Sequence, residues 1–465
     1  MKTAARSAFA LLLASESAFD FGSALMTFAL GVWIFQHTGS PQQFSGAILA
    51  ATIPTLLVTP LAGALADAFD RRWVIAGCDI ASTALIGALA VLMFQERLAP
   101  EQLYIFNASN AIIAAIRVPA YRAALGSIVP RDQLTQAGGF MGLARSLLQI
   151  GAPLAAGYLM GAFGLPTVIG VQIILVIAGG ATAFRALTHA RLAIRGRRAR
   201  RATVFGEAAA SFGTAVRYFR EVPQMGVLAV YGAIEESLLV LAASMMIPLV
   251  LSSRSSDAVG VILSCGALGS LLGSAVLVIA PARRYLMRWI LLANIAVSLF
   301  VLVTGLASST SVWSACSLGA YLAGTVSSAC ATALLLRKTP VAIRGSVFAL
   351  NGALNGIMMC AAMLAGGYLA EHVFEPALAD GGAWADSVGA WMGTGKGRGM
   401  AFLFVACGAA GCALSLLALI PRRFRTFDEL TLDPEDPSAD GPEASERPER
   451  RSPPPDPCPA PPLAF

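Results

Sequence analysis

Leu154-Ala155-Ala156-Gly157-Tyr158-Leu159 returns 210 residues later as Leu364-Ala365-Gly366-Gly367-Tyr368-Leu369, and this pair decides the fold. Pro130 and Pro340, each just ahead of an apolar run, keep the same spacing of 210, and Arg72-Trp73 returns as Arg288-Trp289 at 216. An offset held from Pro130 through Leu159 marks a duplication. Around these motifs the chain is 56% hydrophobic and 13% charged, against roughly 25% charged in an ordinary globular domain. That shortfall excludes a soluble enzyme. A membrane-spanning helix needs about 20 apolar residues, and runs of that kind lie at 8–36, 44–67, 74–95, 102–124, 137–162 and 165–188, then at 224–252, 258–280, 289–308, 312–335, 345–372 and 398–421. The expected fold is an all-α membrane protein of twelve transmembrane helices in two pseudo-symmetric six-helix bundles. Parallel repeats of this kind are related by an axis along the membrane normal, enclose a solute site near the bilayer midplane, and rock to expose it to each side in turn.

The expected organisation is a first bundle over 1–188, a basic linker over 189–223, a second bundle over 224–425 and a tail over 426–465. The tail, with Asp433-Pro434-Glu435-Asp436-Pro437 and Pro453-Pro454-Pro455, has too little apolar surface to fold and reads as disordered. The first apolar run reaches Phe35 and contains Glu16 and Asp20; a secretory apolar region is only about 7–15 residues. The eight cysteines and three histidines have no metal-ligand spacing, so the cysteines read as small packing residues.

Arginine and lysine set the orientation. One set of loops holds Arg71 and Arg72, Arg122 and Arg131, the many arginines of 191–220, then Arg283, Arg284 and Arg288, then Arg337, Lys338 and Arg344. The alternate loops hold Arg97, Arg254, Lys396 and Arg398. The positive-inside rule places the first set and both termini in the cytoplasm, in a bacterial inner membrane. The formal charge of +6 is then a topology signal, and nucleic acid is not an expected partner. Phe205 to Phe219 reads as a short helix on the membrane surface.

Between the second and third runs lies Gly63-Ala64-Leu65-Ala66-Asp67-Ala68-Phe69-Asp70-Arg71-Arg72. Gly63 permits close helix approach, Asp67 is placed to cap a neighbouring helix N-terminus, and Arg71 and Arg72 can pair with carboxylates. This segment resembles the loop signature of the major facilitator superfamily: glycine, three residues, aspartate, then a basic pair. Ala68 and Asp70 depart from the basic residue and glycine often found there, as in the subgroup of macrolide, tetracycline and siderophore exporters. Phe28-Ala29-Leu30-Gly31-Val32-Trp33, with Thr38-Gly39-Ser40, is similar to transporters found beside nonribosomal peptide pathways. The resemblance covers residues 5–425 and implies that the Gly63–Arg72 loop is a gate. Gly151, Pro153 and Gly157, with Gly142, resemble a degenerate antiporter signature, whose role would be a kink and close packing; simple packing is the competing reading.

An ionisable side chain at membrane depth faces a wet cavity or a partner. Glu16 and Asp20, four apart, share one helix face. Two nearby carboxylates in a low dielectric resist ionising together, which suits proton coupling; lining the cavity entrance is the other reading. Glu235 and Glu236 occupy the corresponding region of the seventh run. Adjacent residues point about 100° apart, so one of them, with a preference for Glu236, is expected to face the cavity. Asp79, Arg117 and Arg145 read as ion pairs near the inner gate, or as a site for an anionic solute. Asn351 and Asn355 share a face near Met358 and Met359, suiting a roomy site for a large, partly apolar molecule or ordinary packing. The outer segment 373–397, with Trp384 and Trp391, is expected on the membrane surface or over the exit.

There is no phosphate-cradling Gly-Lys-Ser/Thr loop and no catalytic constellation. The expected protein is therefore not an enzyme and needs no cofactor, with a proton gradient as its energy source. It is a monomer whose partners are the lipid bilayer and a small-molecule substrate, with no obligate protein partner. The expected function is efflux of a small organic molecule by proton antiport. An importer or facilitator, a lysophospholipid flippase and a non-transporting scaffold are the alternatives.

Overall fold

The computed structural model describes residues 3–68, 70–128, 134–189, 204–279, 285–340 and 343–421. All regular structure among them is helical. The first half comprises α1 (Thr3–Thr38), α2 (Pro41–Ala68), α3 (Arg71–Phe94), α4 (Pro100–Ile128), α5 (Leu134–Phe163) and α6 (Leu165–His189). A linker helix, α7 (Val204–Glu221), follows. The second half comprises α8 (Pro223–Ser244) and α9 (Met246–Leu251), α10 (Ser256–Ile279), α11 (Leu286–Leu306), α12 (Thr310–Lys338), α13 (Arg344–Tyr368) and α16 (Arg398–Leu419), with the short helices α14 (Glu375–Ala377) and α15 (Gly389–Met392) before the last. Among the described residues eleven spans are long and apolar enough to cross a membrane, and the 28-residue α2 is the twelfth. The outer faces carry bare hydrocarbon, as at Phe94, 79% exposed, and Ile279, 84% exposed, surface that belongs against lipid rather than water.

The duplication is visible in the packing. The pairs α2–α4, α3–α4, α3–α6 and α1–α5 of the first half reappear as α10–α12, α11–α12, α11–α16 and α8–α13 in the second. The halves meet along two matching seams, α5 against α10 and α13 against α2, and where α9 touches α1. The repeated glycines sit on those seams. A Cβ on Gly157 would lie 2.9 Å from the Ser256 carbonyl oxygen and 3.1 Å from Gly260 Cα; one on Gly367 would lie 2.9 Å from Ser45 Oγ and 3.0 Å from Gln42 Cα. Only glycine lets these backbones approach so closely. The α5–α10 seam is tied by Ser264 Oγ donating to the Ile150 carbonyl (2.7 Å). Across the other seam Ser40 Oγ donates to the Glu371 carboxylate, which also accepts the Gln42 backbone N–H at 3.0 Å. These ties lie in the half of the molecule away from the arginine-rich ends, so that end is shut.

Two spans expected as single helices are broken. The seventh breaks at Met245, because Pro248 has no N–H for the carbonyl four residues earlier. The eleventh passes into a π-helical turn, Leu369–Phe374, the turn that carries Glu371 to Ser40. The linker helix differs from its expected place on the membrane surface. Ala215 and Tyr218 are buried against the second bundle, and Tyr218 Oη donates to the Lys338 carbonyl at the end of α12 (2.7 Å). The segment after α13 folds onto the start of α16: Phe374, Trp384 and Phe402 stack edge to face or tilted, and Glu375 accepts the backbone N–H groups of Gly397 and Met400.

Candidate functional site

Arg117 on α4 is fully buried, and a buried guanidinium is tolerable only when paired. Its Nε donates to Asp79 Oδ1 on α3 at 2.8 Å, a terminal nitrogen donates to the Glu16 carboxylate on α1, and the other reaches Ser15 Oγ at 3.3 Å. The Phe19 ring lies 4.1 Å beneath the guanidinium carbon. Gly180 lets α6 approach, since a Cβ there would meet Asp79 at 3.4 Å. Two carboxylates around one cation leave one negative charge in excess, so one bound proton neutralises the cluster. Asp20 lies one turn further along α1. Arg145, expected in this set, does not join it: its side chain is exposed and has no ion-pair partner among the described residues. The reason is packing, since α5 lies against α1, α6 and α10, away from the α3–α4 pair.

The second half holds a cavity of about 840 Å³ between α8 and α10, α11, α12, α13 and α16. Its wall runs from Met225 and Leu335, near the arginine-rich end, to Val301. A chain of hydrogen bonds crosses four helices beside it. Ser327 Oγ donates to Asn294 Oδ1 (2.6 Å), Asn294 Nδ2 to Tyr231 Oη (2.9 Å), Tyr231 to Ser415 Oγ (2.8 Å), and Ser415 to Glu235 Oε1 (2.5 Å). With Ser415 donating to the carboxylate, every donor in this chain points toward Glu235, and bonds so aligned polarise one another.

Both Glu235 and Glu236 line the cavity, which corrects the expectation that only one would. The space wraps far enough around α8 to take two side chains 100° apart, with α11 and α16 beyond one and α12 beyond the other. Asn351 and Asn355 line it, whereas Met358 and Met359 do not. At the residue after Asn355 the helix is pressed onto the other half, where a Cβ on Gly356 would strike the Leu56 side chain at 2.7 Å.

The loop signature is placed only in part. Gly63 and Asp67 fall in α2 and Arg71 and Arg72 open α3, but their side chains lie outside the described residues. Asp70 starts α3, its carbonyl accepting the Trp73 and Val74 backbone N–H groups (3.0 and 3.1 Å). Of the helix-5 residues, Gly157 forms the seam and the Pro153 carbonyl faces Gly260. Gly151 has nothing within 4 Å of an added Cβ, so close packing does not explain it. Sequence reasoning passed over Tyr231, Asn294, Ser327 and Ser415. The one available signal was Tyr231, a turn before Glu235 on the same face.

The family model described as Major Facilitator Superfamily matches residues 12–363, about three quarters of the chain. Macrolide efflux protein A of Streptococcus pyogenes is 26% identical over 160 residues, 34% of this chain and 40% of that protein. The uncharacterized MFS-type transporter YfiS of Bacillus subtilis is 27% identical over 158 residues, 34% of this chain and 37% of that one. The chain thus aligns with less than half the length of these relatives. Among solved structures, a mutant form of the nucleoside transporter NupG superposes with a TM-score of 0.66 at 12% identity, covering 88% of this chain and 99% of that one. A bacterial homologue of the human lysosomal transporter Spinster gives 0.64 at 16% identity, covering 93% and 100%. At such identities the likeness shows the fold alone. The family match, the run of membrane-length helices and the matched seams make one conclusion: this chain belongs to the Major Facilitator Superfamily and is a multi-pass membrane protein.

Proposed function

We propose that the protein exports a small organic molecule across the bacterial cytoplasmic membrane in exchange for inward-moving protons, with its arginine-rich ends and both termini in the cytoplasm. The observation that carries the reading is a cavity reaching toward the arginine-rich end and lined by two carboxylates, in a molecule whose seams are shut at the opposite end. Under this orientation the molecule is ready to accept a solute from inside. The Arg117–Glu16–Asp79 cluster, with its excess negative charge, and Glu235, at the end of an aligned donor chain, supply proton-binding groups within the two halves. The relatives named macrolide efflux protein A make a macrolide the first solute to try.

Everted membrane vesicles with an imposed proton gradient, acid inside, provide the test. Adding erythromycin is expected to alkalinise the lumen in vesicles carrying the protein and not in those without it, and Glu16→Gln with Asp20→Asn is expected to abolish the response without lowering protein level. Solute accumulation in intact energised cells, with no pH response in everted vesicles, would reverse the direction to import. Full activity in the double variant would remove the α1 acids from the mechanism.

A further inference from the structure

The two adjacent glutamates of α8 have different surroundings. Glu235 is held by the Ser415 hydroxyl at the end of the relay. Glu236 is exposed to the cavity and has no hydrogen bond or ion pair among the described residues. The lining offers it no internal counter-charge: among the described residues around the cavity, Glu235 and Glu236 carry the only charges, and no lysine, arginine or histidine is present. Nearby basic groups are engaged elsewhere. Arg288 lies over the Tyr285 ring at 4.5 Å and Arg344 Nε donates to the Thr339 carbonyl at 3.0 Å. A carboxylate at membrane depth faces a wet cavity or a partner; Glu236 faces the cavity, where the lining leaves room for a partner from outside the protein.

The rest of the wall fits one kind of visitor. Tyr321, 47% exposed, and Phe348 present aromatic surface suited to a cation. Leu239 and Val240 supply apolar surface close to Glu236 in sequence. Asn355 Oδ1, buried and without a hydrogen-bond partner among the described residues, is a spare acceptor on α13, the helix packed beside α8. From this arrangement we infer that Glu236 anchors the positive charge of the solute, which is an amphipathic organic cation: one protonated or quaternary nitrogen on an apolar body. The inference rests on the transport reading above and names the chemical class it moves. It also separates duties on α8, with Glu235 on the hydrogen-bonded relay and Glu236 on the solute.

Binding to the purified full-length protein in lipid nanodiscs tests this without requiring transport. Dansylcadaverine, a cation at neutral pH, is compared with its neutral N-acetyl derivative by dansyl fluorescence, with empty nanodiscs as the blank. The cation is expected to bind at least ten-fold more tightly than the neutral form. Glu236→Gln should erase that preference by weakening the cation alone, and Glu236→Asp should restore part of it, which also shows that the site folds. Equal affinities in the unchanged protein, no saturable cation binding, or a preference surviving in Glu236→Gln would each overturn the proposal. Cation binding in a protein that moves nothing in vesicles would sink the export reading and leave this one standing; export without cation preference would do the opposite.

Discussion

Replacing Gly260 by alanine tests whether the α5–α10 seam holds the far end shut. The added Cβ would sit 2.6 Å from the Pro153 carbonyl oxygen and 3.3 Å from Gly157 Cα, both backbone atoms. No flexible side chain can yield, so the helices must separate. A gap of roughly 0.5–1 Å forfeits a quarter to a half of the dispersion attraction at each contact, and the Ser264–Ile150 bond at 2.7 Å stretches with it. Overpacking of this kind costs about 1–3 kcal/mol. If the seam parts in the alternate state, the whole cost falls on the closed form, and the closed-to-open ratio drops by roughly 5–150-fold. Electron–electron double resonance between spin labels at positions 163 and 253, in a background without the native cysteines, reads that ratio as a shift from short to long distances. Gly142→Ala and Gly151→Ala on α5 serve as controls, since neither meets a neighbour within 4 Å. A Gly260→Ala protein with the parent's distance distribution would refute the seam as the closing contact.

Two further outcomes follow from the described contacts. Arg117→Met strips Glu16 and Asp79 of their cation and is expected to cost about 3–5 kcal/mol, seen as a lowered thermal midpoint that Glu16→Gln with Asp79→Asn largely restores; an unchanged midpoint would mean the cluster is not buried as described. Tyr218→Phe loses the bond to the Lys338 carbonyl, about 0.5–1.5 kcal/mol, and hydrogen exchange should quicken in α7 while α12 stays protected; unchanged exchange in α7 would show that the bond does not hold it.

The apolar runs located every span within a few residues, because twenty-odd apolar residues have one stable solution in lipid, a helix with its backbone bonds satisfied internally. The constant offset of 210 announced the duplication. It did not say why Gly157 and Gly367 are glycines, since that depends on Ser256, Gly260, Gln42 and Ser45 in the opposite half. The carboxylates at membrane depth stood out in the sequence by their rarity, yet their partners did not. Arg117 and Arg145 looked alike on paper, and only the packing of α4 against α3 and of α5 against α1, α6 and α10 buried one and exposed the other. The donor chain ending on Glu235 draws on residues 231, 294, 327 and 415, separations at which local periodicity carries no information. Hydrophobic length and periodicity are properties of a segment, so the sequence determined the helices and their count; which polar groups meet is a property of how separate segments cross, and that the tertiary structure alone decided.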